Sequence, residues 1–91
     1  MRLSEKEILI IKDVVSEFVA NPKIYLFGSR LDDTKKGGDI DIFIISKDID
    51  YEKKLKIRAK LKAFLKKPVD VICHKNFARA IEKEALKGIE L

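Results

Sequence analysis

The alternation of apolar and polar positions divides the chain into helical and extended stretches. Ile8, Ile11, Val15, Phe18 and Val19 recur at helical spacing, which predicts a first helix with one face on a core. Ser4 followed by Glu7 reads as its capping box, hydroxyl and carboxylate each satisfying a backbone N–H. Asn21-Pro22 stops it, because the residue before a proline avoids helical geometry. Lys23–Phe27 is a short β-rich run ending at Gly28. From Gly28 to Gly38 the chain is polar and opens as a short helical turn, with glycine turn signals at its end. Asp39–Ile45 alternates carboxylate with aliphatic and then becomes wholly aliphatic, the pattern of a strand entering a core. A second helix is predicted from Asp50 to Lys67, burying Ile57, Leu61, Phe64 and Leu65, and Pro68 ends it. Val69–Cys73 is a third strand. Asn76 is read as the cap of a last helix running to Gly88. This order predicts an α/β (α+β) fold, a small mixed sheet of three to four strands flanked by helices.

Composition narrows the setting. Ninety-one residues, 46% hydrophobic and 38% charged, suit one domain over 1–91 with one core, and exclude a disordered chain. No apolar run exceeds four residues, the length of Ile42–Ile45, far short of the roughly 20 residues of a membrane helix. Together with an N-terminus lacking a signal-peptide pattern, this gives the expectation of a cytoplasmic protein with no membrane partner. The single cysteine, Cys73, allows no internal disulfide and no Cys-rich zinc site; it is expected to be a buried apolar thiol, and His74 and Tyr25 to be structural. The net charge of +5 is concentrated: eight basic residues fall between Lys53 and Lys67. Such a helix is most simply a solvated face, with an acidic partner or RNA as the alternatives.

The candidate chemistry lies elsewhere. Strand alternation puts Asp39 and Asp41 on one face, roughly 6.6–7 Å apart along the backbone. Carboxylates so placed repel unless cations bridge them, and hard oxygen ligands suit Mg²⁺ or Mn²⁺. If Val69–Cys73 pairs beside this strand, Asp70 joins the same side. Three carboxylates are enough to hold two metal ions for an in-line displacement at phosphorus. Gly28-Ser29 supplies the complementary half: glycine admits a phosphate close to the backbone, and the hydroxyl and the N–H groups of a helix start attract anions. Arg30 would add charge on a triphosphate.

These residues resemble a known family. Gly28-Ser29, a spacer of nine residues, then Asp39-Ile40-Asp41 opening a hydrophobic strand is similar to the signature of the DNA polymerase beta-type nucleotidyltransferase superfamily. A later-strand carboxylate in that superfamily maps onto Asp70. The resemblance implies the nucleotidyltransferase fold, catalytic and metal-binding roles for Asp39, Asp41 and Asp70, a triphosphate grip by Gly28, Ser29 and Arg30, and ATP or another nucleoside triphosphate with two Mg²⁺ ions. Chain length is similar to that of the minimal nucleotidyltransferases, whose helical HEPN-domain partners are toxins. That likeness implies an antitoxin transferring AMP from ATP to a toxin tyrosine. Two other readings stand beside it: a non-catalytic antitoxin that masks its partner by contact, and, less favoured, a basic RNA-binding module. An exposed sheet edge in so small a domain also leaves room for self-association or partner docking.

Overall fold

A computed structural model describes residues 3–28 and 40–91. Its elements follow the sequence pattern for most of their length. Helix α1 (Glu5–Phe18) begins at the expected box: the Glu7 N–H donates to the Ser4 hydroxyl and the Ser4 N–H to the Glu7 carboxylate, both at 3.1 Å. Strands β1 (Lys23–Phe27) and β2 (Ile40–Ile45) pair antiparallel, Phe27 opposite Asp41. Helix α2 (Tyr51–Leu65) is capped by Asp50, whose carboxylate accepts from the Lys53 N–H at 2.8 Å. It ends where Lys66 turns left-handed, at φ 56°, just before Pro68. Strand β3 (Val69–Cys73) then lies parallel to β2, with α2 as the crossover.

The last segment departs from expectation. Helix α3 covers only Ala80–Ala85 with Arg79 at its cap position, and a two-residue strand β4 (Ile89–Glu90) follows it. Asn76 caps no helix; its side chain accepts from the N–H groups of Ala78 and Arg79 in a local turn. Helix cannot start there because the next residue, Phe77, takes a left-handed φ of 60°, in a turn whose N–H groups at Lys75, Asn76 and Phe77 donate to the buried Glu82 carboxylate. β4 docks on the free edge of β1, giving a four-stranded sheet of order β3-β2-β1-β4.

The sheet has two unlike faces. Ile24, Leu26, Ile40, Ile42, Ile44, Val69 and Val71 join Ile11, Val14, Val15 and Val19 of the first helical segment and Ile57, Leu61 and Leu65 of α2 in the main core. Phe64, expected in that core, is 57% exposed; Leu61 and Leu65 fill the inward stripe and Phe64 falls beside it, under the Lys60 ammonium. On the other face, Phe27, Phe43 and Ala85 form a small cluster edged by Tyr25, Ile45 and Ile72. Among the described residues, the short α3 is the helix that packs on that face. Among the described residues no helix is long and apolar enough to cross a membrane.

Candidate active site

The face that holds Phe27 and Phe43 also carries the carboxylates. In the parallel ladder Asp41 stands directly beside Asp70, so both point to one side on strands about 4.8 Å apart. Alternation along β2 explains the placement: its even-numbered isoleucines face the main core, and Asp41, Phe43 and Ile45 face away from it. Both aspartates line an open cleft of about 520 Å³ together with Phe27, Tyr51, Lys54, Leu55, Arg58 and Ile81.

Gly28, at the end of β1, packs against the Asp41 carboxylate. Its φ is +79°, in the region that favours glycine. A Cβ there would collide with Asp41 Oδ2 and stand 3.2 Å from its Cγ. Glycine thus serves both the turn leaving β1 and the close approach of main chain to carboxylate. Of the six residues singled out from the sequence, Gly28, Asp41 and Asp70 are brought together. Ser29, Arg30 and Asp39 lie outside the described residues. Among the described residues no group of three or more His, Cys, Asp or Glu side chains is arranged to hold a metal ion. The two carboxylates that are described fit a hard divalent cation, since like charges side by side on neighbouring strands favour a bridging cation.

Two features of this region escaped the sequence reading. One is the contribution of α2: Tyr51, Lys54, Leu55 and Arg58 follow helical spacing and form one wall of the cleft. The other is Glu82, fully buried. It meets His74 Nδ1 at 2.7 Å and accepts from Arg79 Nε at 2.6 Å and from three backbone N–H groups. Burial by itself would raise its pKa; the Arg79, His74 and backbone hydrogen bonds overcome that and hold it well below the ordinary glutamate range. A glutamate within Glu82-Lys83-Glu84 looks like surface, and only His74 and Arg79 nearby hint at a buried partner. His74 also stacks on Phe77 at 3.7 Å between centroids, so its role here is structural. Tyr25 packs on Phe43 and its hydroxyl donates to Glu90 at 3.3 Å. Cys73 is half-buried, and that burial pushes its thiol pKa up.

The family model for polymerase beta nucleotidyltransferases matches residues 10–91, nearly the whole chain. The chain belongs to that family. No curated protein matches it. Several solved structures share the fold. A toxin–antitoxin MntA–HpeT variant is 23% identical, with a TM-score of 0.75 over 98% of this chain and 71% of that one. A toxin–antitoxin with AMP-PNP is 23% identical, with a TM-score of 0.78 over 97% and 72%. The complex of tri-AMPylated Shewanella oneidensis HEPN toxin with MNT antitoxin is 20% identical, with a TM-score of 0.67 over 92% and 70%. At these identities the likeness is one of fold.

Proposed function

We propose that this chain is a single minimal nucleotidyltransferase domain that uses ATP and Mg²⁺ to transfer AMP to a partner protein in the cytoplasm. A HEPN-type toxin tyrosine is the acceptor that best fits its structural neighbours, one of which is an AMPylated HEPN toxin bound to its MNT antitoxin. The observation that carries the reading is the Asp41–Asp70 pair, side by side on an open face against a glycine turn.

Asp39, Asp41 and Asp70 would hold Mg²⁺, which when bound neutralises triphosphate charge and makes an acceptor hydroxyl easier to deprotonate. Gly28 lets the main chain approach the phosphates, and Ser29 and Arg30 supply donors to them. Asp70, the carboxylate nearer the open edge of the sheet, accepts the hydroxyl proton. The acceptor oxygen bonds to the α-phosphorus, the bond to the β-phosphate oxygen breaks, and pyrophosphate leaves.

Calorimetric titration of ATP with and without Mg²⁺ tests the site, on wild type and on Asp39→Asn/Asp41→Asn. Metal-dependent binding lost in the variant is the expected result, followed by a gain of AMP mass on a HEPN partner. Binding unaffected by the substitutions would overturn the assignment. A partner neutralised with no mass gain would favour the contact-only antitoxin.

A further inference from the structure

The carboxylates share their cleft with a hydroxyl of their own chain. Among the described residues that line it with Asp41 and Asp70, Tyr51 is the one that carries a hydroxyl. The chain has two tyrosines, and their surroundings differ. Tyr25 donates its hydroxyl to Glu90 at 3.3 Å, rests on the Phe43 ring and lines a separate hollow. Tyr51 is 71% exposed, and among the described residues its hydroxyl has no hydrogen-bond partner.

The helix brings that hydroxyl to the acceptor side of the centre. Tyr51 is the first residue of α2, directly after the Asp50 cap. No preceding turn crowds a side chain there, so rotamers barred inside a helix are open to it. Leu55 and Arg58 continue the stripe along the cleft. Arg58 Nε donates to the Val69 carbonyl at 3.0 Å, which pins the stripe to the residue before Asp70. From Arg58 back to Tyr51 is about 10 Å along the helix, a gap that a swung phenol and one phosphate close between them. In-line displacement needs the nucleophile opposite the leaving pyrophosphate. Gly28 meets Asp41 from the end of β1, so a triphosphate gripped there leaves the Asp70 side, and the α2 wall with it, for the attacking hydroxyl. The Lys54 ammonium, 5.9 Å from the Tyr51 ring centroid, is at hand for a phosphate carried on that ring.

We propose that Tyr51 is itself an acceptor: with no partner in place, the domain transfers AMP from ATP to its own Tyr51. The Tyr51 oxygen bonds to the α-phosphorus, the bond from that phosphorus to the β-phosphate oxygen breaks, pyrophosphate leaves, and the hydroxyl proton passes to Asp70. The adduct keeps its nucleotide in the cleft, so the reaction stops at one AMP per chain. This inference rests on the reading of Asp41 and Asp70 as a nucleotidyl-transfer centre.

The test incubates the purified chain alone with ATP and Mg²⁺, reads its intact mass, and locates the added group by peptide fragmentation. A single AMP on Tyr51 is the expected result, gained at a rate per chain that does not rise with protein concentration. Tyr25→Phe should be labelled like wild type and Tyr51→Phe should stay unlabelled, with circular dichroism confirming the fold of both. Label on Tyr25 or on any other residue, a rate that rises with protein concentration, or the absence of label would each overturn the proposal. The ATP titration is read separately: its failure would overturn the transfer reading and this inference with it, whereas metal-dependent ATP binding without label would overturn only the role of Tyr51.

Discussion

Strand β2 places the two faces of the sheet within one chain segment. Ile40, Ile42 and Ile44 are fully buried against α1 and α2, while Asp41, Phe43 and Ile45 alternate with them toward a face on which, among the described residues, the short α3 packs. The first face is held by close-packed aliphatics, whose contribution is insensitive to pH. The second is held by a few aromatic contacts and by one buried carboxylate, Glu82, that ties the 74–79 turn to α3. Rigidity of the first face leaves the second free to carry charge and an open cleft. The contrast teaches that in so small a domain the supports of stability and of chemistry are separated by a single residue step along a strand.

The contrast breaks most sharply at Glu82. Glu82→Ala strands Arg79 and His74 and should destabilise the protein by about 3–5 kcal/mol, read from the denaturant midpoint. Its ionisation adds a pH signature. The folded carboxylate titrates below the ordinary 4.5 of the unfolded chain, so the unfolded state takes up its proton first. The stabilisation is fully present above that ordinary value and is lost as pH falls through the lowered folded one. Urea titrations at descending pH should show this loss in wild type and not in Glu82→Gln.

On the opposite face, Ile42→Ala should cost about 2–5 kcal/mol with the acid response unchanged. One position away, Asp41→Asn should leave the midpoint within about 0.5 kcal/mol of wild type, or raise it by relieving repulsion from Asp70, while abolishing metal-dependent ATP binding. Gly28→Ala should cost about 1 kcal/mol or more through backbone strain, and should weaken ATP binding because the new Cβ displaces the Asp41 carboxylate. The smallest effect belongs to the exposed Lys60–Glu17 pair joining α1 to α2. Lys60→Ala should change stability by less than about 0.5 kcal/mol, and by less again in high salt.

The limits of β1 and β3 and the start of α1 are legible because each rests on local chemistry: a capping box, prolines, and short runs of aromatic and aliphatic residues. The family, too, was legible from Gly28-Ser29 and Asp39-Ile40-Asp41, and the match over 10–91 bears it out. The adjacency of Asp41 and Asp70 followed once β3 was taken to lie beside β2. What was illegible depends on tertiary partners. The late start of α3 follows from the left-handed turn at Phe77 gathered around Glu82, and β4 pairs with the edge of β1. Phe64 has the helical spacing of a core residue yet stays outside the core, because Leu61 and Leu65 already fill the inward stripe. The α2 wall of the cleft was hidden because its lysines and arginine read as solvated.

The parallel pairing of β2 with β3 also fixes when the site comes into being. β1 and β2 are antiparallel neighbours and close a modest loop, but β3 reaches β2 only after the whole of α2 has been traversed. That closure is the entropically dearer one and belongs late in folding. Until the edge strand docks the two carboxylates are not neighbours, so the candidate site is completed in the same step as the sheet.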